Sequence, residues 1–206
     1  MEIEAKYRLT TTVEPDQIEA IPWTPYHVGA QHTLDQHDTF YDTSDLQLSQ
    51  SRHAVRVRDL GTRLLVTLKG PGTVANGVHS RDEWEAPTSE RDPAAWPLAI
   101  RDRLHDLIGA PPLLPLLEVH NRRTTWELRR SDQVVGEVAL DRGTISAGDR
   151  HEPMHELEIE LKGGQPSDLE EIAQVIQQHL PAVPEDRSKF ARGLALARPD
   201  LGIINE

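Results

Sequence analysis

Four short stretches of the chain alternate charged and apolar residues, so that several charges fall on one face of each predicted strand. They are residues 2–7, 54–58, 81–85 and 156–161. Side chains two positions apart in a β-strand point to the same side of the sheet. If the four strands belong to one sheet, their charged faces line a surface that carries both signs of charge. Such a surface suits a polyanion that is bound together with a metal ion.

The carboxylates on these strands are concentrated enough to indicate a metal site. Glu156, Glu158 and Glu160 lie on one face at intervals of about 7 Å. Like charges in a row repel one another, and a divalent cation would neutralise them. Glu2 and Glu4 repeat the pattern near the start of the sequence. Because ligands that are all oxygen favour Mg²⁺ or Mn²⁺, the sequence predicts a site for one of these ions.

Basic residues in predicted strands complement the carboxylates: Lys6, Arg56, Arg58, Lys69, Arg81 and Arg123. Arginine matches phosphate oxygens bidentately, and lysine adds a point charge. The sequence has no Walker A loop, no GxGxxG, no HExxH and no recognisable Ser-His-Asp arrangement. His27, His32 and His37 are irregularly spaced, and we interpret them as loop or surface residues rather than zinc ligands. The residue types therefore indicate phosphoryl chemistry away from a glycine-rich loop.

Composition limits the class of protein. The 206 residues predict a single domain over 1–206, and the absence of cysteine excludes disulfides and thiolate metal sites. No run of about 18 apolar residues is present, and the chain does not begin with a signal peptide. A net charge of −12 argues against a nucleic-acid partner. We expect a cytoplasmic protein with no membrane or nucleic-acid partner and leave its oligomeric state open.

The predicted elements are mostly strands without βαβ alternation. Predicted strands cover 2–9, 35–42, 54–59, 63–69, 79–86, 117–130, 133–141 and 154–162; predicted helices cover 14–21, 93–108, 168–180 and 188–197. Gly70 and Gly72 are expected to end one strand, and Gly143 another. Ser167 and Glu170 predict a capping box. The pattern favours an antiparallel α+β domain, and a closed barrel is one form of it.

These elements resemble those of the CYTH domain, the family of triphosphate tunnel metalloenzymes. Glu2-x-Glu4-x-Lys6 resembles the ExExK signature of that family, which is weak by itself. The further matching elements follow in family order: 37–43, Leu48 with 55–58, 65–70, 80–85, Arg123 with Trp126, 137–141, Glu158-x-Glu160 and 188–189. Because they span nearly the whole chain, the resemblance is specific.

The resemblance implies an eight-stranded antiparallel β-barrel, open at both ends, with flanking helices and a charged tunnel. The apolar residues that alternate with the charged ones would then pack outward: Ile3, Ala5, Tyr7, Val55, Val57 and Trp84. The residues implied to hold metal are Glu2, Glu4, Asp141, Glu158 and Glu160. The residues implied to bind a triphosphate are Lys6, Arg56, Arg58, Lys69, Arg81, Arg123 and Lys189. The residues implied to be catalytic are Glu4, Lys6, Glu83, Glu158 and Glu160, with Glu83 ranked above Glu85.

Some assignments stay open at this point. Arg122 is an alternative to Arg123 in the tunnel, and Glu156 is a further candidate for the metal shell. Some family members have Lys-x-Arg where this chain has Asn121-Arg122-Arg123, which removes one positive charge. We also expect the empty tunnel to be electrostatically strained, because it would confine several positive charges close together.

The resulting hypothesis is metal-dependent hydrolysis of a triphosphate, with inorganic triphosphate as the first choice. The alternatives are class IV adenylate cyclase, hydrolysis of thiamine triphosphate or a nucleoside triphosphate, and non-catalytic binding of polyphosphate or a nucleotide. Trp23 and Tyr26 could stack on a ring, although core or surface packing is the favoured role. A protein that only binds its ligand could rely on the basic residues, so the presence of Glu2, Glu4, Glu158 and Glu160 weighs against the non-catalytic alternative. An ordinary sheet with one wet face is the plain alternative for each stretch taken alone. We expect no fused CHAD-type domain.

Overall fold

The protein, described over residues 2–201 by a computed structural model, is built mainly from long antiparallel strands. The strands are β1 (Glu2–Leu9), β2 (His27–Val28), β3 (His32–Asp42), β4 (Ala54–Asp59), β5 (Leu64–Ala75), β6 (Val78–Thr88), β7 (Leu114–Arg130), β8 (Gln133–Ala147), β9 (Arg150–Leu161) and β10 (Ala182–Pro184). The α-helices are α1 (Pro15–Glu19), α2 (Gln47–Gln50), α3 (Leu98–Ile108), α4 (Pro166–His179) and α5 (Lys189–Ala197). Single 3-10 turns lie at Pro93–Ala95 and Pro199–Leu201.

Eight of the strands close into a ring. They pair antiparallel in the cyclic order β1, β6, β5, β4, β3, β7, β8 and β9, and β9 returns to β1. The two short strands join from outside the ring, β2 on β7 and β10 on β1. The predicted α+β fold, an eight-stranded antiparallel barrel with flanking helices, is therefore confirmed.

Strand register brings charged residues from distant parts of the sequence to the same height in the ring. Lys6 on β1 lies opposite Glu158 on β9, and Glu4 lies opposite Glu160. Directly opposite residues in an antiparallel pair share a face of the sheet. The alternation in each strand therefore sends these charges into the barrel and their apolar neighbours outward.

The outward face is covered by helices over two apolar clusters. In one, Ala5 and Tyr7 pack with Ile172 and Ile176 of α4. In the other, residues of β4 and β5 pack with α3; its members include Val55, Val57, Leu68, Ile100 and Leu104. The outward packing implied by the alternating pattern is thus what the structure shows, and it leaves the interior to polar residues.

Helix α5 packs on the inner side of the barrel rather than the outer side. Its Phe190 and Leu194 join Phe40, Val119 and Ile145 in a third apolar cluster. Phe40 lies opposite the tunnel residue Arg56, so this cluster is on the inner face. The resemblance implied a tunnel open at both ends, whereas α5 packs across one of them.

Three glycines expected to end strands, Gly70, Gly72 and Gly143, lie inside strands instead. β5 continues past Gly70 to Ala75, because a shift of register between Lys69 and Gly72 absorbs the irregular residues. Gly143 lies within β8, where an added Cβ would stand 1.9 Å from the carbonyl oxygen of His120. Its missing side chain serves a close approach of strands rather than a turn.

The starts of two helices also differ from the prediction. α4 begins at Pro166, and its capping box joins Gln165 to Asp168, so the predicted Ser167–Glu170 box is wrong. Proline at the first helical position already lacks the N–H that a cap must satisfy, which favours this earlier start. α3 begins only at Leu98, after a 3-10 turn, so the predicted start near residue 93 is also wrong.

Candidate active site

The barrel encloses a cavity of about 420 Å³ whose walls are mostly charged. Its lining includes every predicted site residue except Asp141: Glu2, Glu4, Lys6, Arg56, Arg58, Lys69, Arg81, Glu83, Arg123, Glu158, Glu160 and Lys189. Asp141 is fully buried just behind this lining. These lining residues come from six strands and α5 and converge on one cavity. Arg122, Trp23 and Tyr26 do not line it.

One wall of the cavity presents two arginines held by one carboxylate. Arg58 donates two hydrogen bonds of 2.7 Å to Asp38, one to each oxygen, and Arg56 donates one of 3.1 Å. Burial would raise the pKa of Asp38, but the charges of Arg56 and Arg58 outweigh it and hold that pKa well below its usual range. Asp38 therefore stays ionised and fixes both guanidinium groups.

The same wall continues through β5 and β6. Lys69 forms ion pairs with Glu2 at 3.0 Å and Glu83 at 2.6 Å, and Arg81 donates to Glu2 and Glu4. Burial favours the neutral form of Glu83, yet Lys69 outweighs it and lowers the pKa of Glu83 to about 2. These ion pairs explain how the wall tolerates its charges before any ligand binds.

Two cations of the basic wall are destabilised in their charged forms. Burial, together with the neighbouring Arg58, lowers the pKa of Arg56. Burial, together with Arg81 and Arg56, lowers the pKa of Lys69. In both cases the nearby carboxylates do not fully offset burial and the neighbouring cations taken together, so a bound anion would be stabilised here.

The opposite wall holds a compact group of buried carboxylates. Lys189 of α5 contacts three carboxylates: Asp141 at 2.9 Å, Glu156 at 3.3 Å and Glu158 at 2.5 Å. Arg123 binds Asp141 with both a 2.8 Å and a 2.7 Å hydrogen bond and also contacts Glu158.

The pKa values on this wall shift in the opposite direction to those on the basic wall. Burial alone would lower the pKa of Lys189, but Asp141 and Glu158 outweigh it and raise that pKa. Burial would also lower the pKa of Arg123, but Asp141 and Glu158 outweigh it and raise that pKa. Both cations are thus stabilised in their charged forms by surrounding carboxylates.

Lys6 and Glu160 lie between the two walls. Lys6 is 3.4 Å from Glu4 and 3.5 Å from Glu158, and it is almost completely buried. Glu160 has one cation nearby, Lys162 at 2.7 Å. Burial raises the pKa of Glu160, and the charges of Glu2 and Glu4 raise it further against the opposing effect of Lys162. Glu160 therefore lies where additional positive charge would be most stabilising.

The sequence of this chain matches a known protein family. The CYTH domain family matches residues 1–194. The chain belongs to the CYTH family. An inorganic triphosphatase of Haemophilus influenzae is 30% identical over 159 residues, which are 77% of this CYTH chain and 45% of the relative. The chain thus spans about half the length of this curated relative.

Solved structures show the same fold at low sequence identity. HpAC1 from Hippeastrum, assigned as an adenylyl cyclase and described as having a dominant triphosphatase activity, has a TM-score of 0.63 at 21% identity. That comparison covers 95% of the CYTH chain and 96% of HpAC1. A Bacillus halodurans protein assigned as an adenylate cyclase has a TM-score of 0.61 at 20% identity, covering 93% and 96% of the two chains.

Several open assignments in this CYTH chain are decided by position. Arg123 lies in the tunnel, whereas Arg122 points outward to Asp35, with about two thirds of its side chain exposed. Asn121 also faces inward and donates a 2.8 Å hydrogen bond to Asp141. The position at which some relatives carry lysine is therefore used here to fix a carboxylate.

Trp23 and Tyr26 do not line the cavity. Both are buried in the outer apolar cluster beside α4. The Trp23 indole donates to the carbonyl of Ile18 at 2.9 Å, and the Tyr26 hydroxyl donates to Asp168 at 3.0 Å. Core packing, the favoured role, is what the structure shows for both.

Sequence reasoning missed residues that position the site rather than line it. Asp38 fell within a matched motif but received no role. Arg192 is buried on α5, where it binds Glu156 and donates to Glu152 at 2.8 Å. An arginine at that helical position carries no distinguishing pattern, whereas an aspartate paired in register with Arg58 could have been found from strand pairing.

Proposed function

We propose that this CYTH protein is a divalent-metal-dependent triphosphatase that acts on inorganic triphosphate. The observation that carries the proposal is a single cavity that holds eight lysine and arginine side chains beside the carboxylates of Glu2, Glu4, Glu158 and Glu160. A substrate made only of phosphates needs such a cavity and no pocket for a base. The likeness to an inorganic triphosphatase favours the same substrate.

The basic wall would bind the phosphate chain. Arg56 and Lys69 have lowered pKa values because burial and neighbouring cations destabilise their charged forms, and phosphate oxygens would relieve that repulsion. Arginine forks can bind phosphate oxygens bidentately while Asp38 holds their orientation. We assign phosphate binding to Lys6, Arg56, Arg58, Lys69, Arg81, Arg123 and Lys189.

The carboxylates fit a hard divalent cation. Glu4 and Glu160 are directly opposite on β1 and β9, and Glu2 adds a third oxygen ligand on the same face. The raised pKa of Glu160, caused by burial and then by Glu2 and Glu4, supports this assignment, because a bound cation would stabilise its ionised form. All-oxygen ligands favour Mg²⁺ or Mn²⁺ over softer metals. Glu2, Glu4, Glu158 and Glu160 are therefore the proposed ligands.

Asp141 fits a supporting role better than direct ligation. Its side chain is fully buried and already accepts hydrogen bonds from Arg123 and Asn121 and an ion pair from Lys189. Burial would raise the pKa of Asp141, but Arg123 and Lys189 outweigh it and lower that pKa. We therefore propose that Asp141 orients these cations, and that a metal would reach it only if Lys189 moved.

The reaction is displacement by water at the terminal phosphorus. A bound cation would neutralise phosphate oxygens and lower the pKa of a coordinated water. The oxygen of the water forms a bond to phosphorus as the terminal P–O–P bond breaks, and the products are phosphate and pyrophosphate. Lys6 and Arg81 are placed to stabilise charge on the transferred group, and Glu83 keeps Lys69 in position.

The sharpest test identifies the products from a panel of substrates. Inorganic triphosphate, ATP and thiamine triphosphate would each be incubated with Mg²⁺ or Mn²⁺ and followed by ³¹P NMR. Phosphate and pyrophosphate from inorganic triphosphate, at a higher kcat/KM than from the other two, are expected. Cyclic AMP and pyrophosphate from ATP would instead establish the cyclase alternative. Binding without products from all three would establish a binding module.

Paired glutamine variants connect the products to the tunnel. Glu4→Gln removes an inward carboxylate from β1, whereas Glu170→Gln changes an exposed one on α4, a helix that packs on the outer face of the barrel. The first should abolish hydrolysis and the second should leave it unchanged. Equal activity in both would contradict the assignment of the tunnel as the active site.

A further inference from the structure

A second group of potential metal ligands lies on the outer surface of the barrel, away from the tunnel. It consists of His37 on β3 and of Glu118 and His120 on β7. One ligand atom from each of these three residues lies within 4.8 Å of the other two. None of the three lines the cavity or contributes to the proposed triphosphatase site.

Strand pairing brings the two histidines together. His37 lies directly opposite His120, and Glu118 precedes His120 by two residues and so shares its face. The adjacent residues Asp38 and Asn121 point into the tunnel, which places the histidines on the other face of the same strands. The cluster is therefore held by two paired strands and not by loops.

The three side chains lie close together. The imidazole rings stack with centroids 3.9 Å apart and planes inclined by 22°. The Glu118 Oε2 atom is 3.5 Å from Nε2 of His37 and 3.9 Å from Nε2 of His120. The Nε2 atom of His37 is buried and has no hydrogen-bond partner among the described residues. A buried ring nitrogen that faces a carboxylate and a second imidazole is arranged for a shared ligand.

We propose that His37, Glu118 and His120 form a surface site for a borderline divalent cation of the Zn²⁺ class. Two imidazoles and one carboxylate are a common donor set for zinc, with bonds of about 2.0–2.2 Å and room for water as a fourth ligand. Tetrahedral bonds of that length put ligand atoms about 3.4 Å apart, close to the present separations. One or both stacked rings must turn so that their in-plane lone pairs meet on one ion. Solvent leaves room for this turn, because about half of the Glu118 side chain and more than half of the His120 side chain are exposed.

This donor set differs chemically from that of the tunnel. The tunnel offers carboxylates only, which suit Mg²⁺ or Mn²⁺, whereas imidazole selects zinc, copper or nickel. The two sites can therefore be distinguished by the atoms that ligate a probe metal. The irregular spacing of the histidines concealed the site in the sequence, because His37 and His120 are 83 positions apart and meet only through the β3–β7 register.

The test uses Cu²⁺ as a spectroscopic probe of imidazole ligation. One equivalent of Cu²⁺ would be added to the intact protein in Mg²⁺-free buffer, and electron paramagnetic resonance would show whether nitrogen nuclei couple to the metal. Coupling to two imidazole nitrogens is expected. It should fall to one in His37→Gln and in His120→Gln and remain unchanged in His179→Gln, which alters an exposed histidine on α4.

Zinc affinity provides the second measurement. Calorimetric titration with Zn²⁺ should show a site weakened at least about tenfold in His120→Gln and in Glu118→Gln, as expected when a ligand is lost. Both residues are exposed, and the melting temperature of each metal-free variant checks that it is folded. A Cu²⁺ signal with oxygen ligands only, or unchanged Zn²⁺ binding in both variants, would overturn the proposal and leave the triphosphatase proposal untouched.

Discussion

A single carboxylate, Asp38, holds two arginines in the orientation that the basic wall requires. It accepts three hydrogen bonds from Arg56 and Arg58 and is almost completely buried. The ionised form is favoured because the two guanidinium groups outweigh the cost of burial. Removing this charge should affect both the stability of the barrel and the binding of phosphate.

Asp38→Asn should destabilise the protein by roughly 3 kcal/mol, because it leaves two partly buried arginines without their counterion. The folded-state pKa of Asp38 is lowered, so its contribution is present above the unfolded value of about 3.9 and is lost as the pH falls through the folded value. The difference in the free energy of unfolding between wild type and Asp38→Asn should therefore become smaller below pH 4. Urea denaturation of both proteins at pH 7 and pH 3 measures this difference.

The control for that variant is Asp35→Asn. Asp35 is on the same strand but is exposed and pairs with the outward Arg122 at 3.5 Å. Its loss should change stability by less than about 1 kcal/mol, as is usual for surface ion pairs. A similar loss of stability in Asp38→Asn and Asp35→Asn would contradict the claim that Asp38 stabilises the barrel more than a surface carboxylate does.

Glu160 has the opposite dependence on pH. Burial and the charges of Glu2 and Glu4 raise its folded-state pKa, so ionisation costs stability as the pH rises through that value. Glu160→Gln should therefore keep or slightly raise the melting temperature in chelator while weakening Mg²⁺ binding by roughly tenfold. Melting curves with EDTA and with Mg²⁺ test both effects. A lower melting temperature in EDTA together with unchanged Mg²⁺ binding would contradict the ligand assignment.

At the scale of elements, α5 carries both a cation that lines the cavity, Lys189, and the apolar residues that hold the helix in place. Ser188 caps the helix by accepting a hydrogen bond from the amide of Ala191. Lys189 follows at once and reaches three carboxylates, while Phe190 and Leu194 enter the inner apolar cluster. The position of Lys189 thus depends on how closely α5 approaches β7.

Gly193→Leu should displace α5 and with it Lys189. A Cβ at this position would stand 2.6 Å from the Leu117 side chain, so a bulky residue overpacks the inner cluster. A loss of roughly 1–3 kcal/mol in stability and a reduced kcat are expected. The matched control is Ala195→Leu, which adds the same side chain at an exposed position of the same helix. Calorimetry and phosphate release compare the two, and equal effects would contradict this role for α5.

The elements also show how much the sequence could reveal. The alternation of charge identified the strands and the inward-facing residues, because a period of two is strong over five residues or more. It did not show that β5 crosses Gly70 and Gly72, since a bulge is decided by pairing with β6. The anchoring of Glu156 by Arg192 was equally hidden, because it depends on where α5 lies.

At the scale of the molecule, a protein of net charge −12 places eight of its 22 lysine and arginine residues around one cavity. The expected strain of confined positive charge is only partly present, because every predicted phosphate-binding residue has a carboxylate partner. Burial and neighbouring cations still lower the pKa values of Arg56 and Lys69, so their charged forms remain destabilised. Over residues 2–201, none of the helices is both long enough and apolar enough to cross a bilayer.

Binding of inorganic triphosphate in EDTA should stabilise the whole barrel. At 100 times its dissociation constant a ligand adds about 2.7 kcal/mol, which corresponds to a rise of several degrees in melting temperature. Arg56→Gln should abolish most of that rise, whereas Arg122→Gln on the outer surface should retain it. Differential scanning fluorimetry makes the comparison, and an equal rise in both variants would place the anion outside the tunnel.

The central claim is that the inward carboxylates and cations together hydrolyse inorganic triphosphate. The most direct measurement is the initial rate of phosphate release from inorganic triphosphate with saturating Mg²⁺ or Mn²⁺, for wild type, Glu4→Gln and Glu170→Gln, each repeated in EDTA. We predict release by wild type and Glu170→Gln that EDTA abolishes, and a loss of at least about a hundredfold in Glu4→Gln. Release that persists in EDTA, or that is equal in all three proteins, would contradict the account.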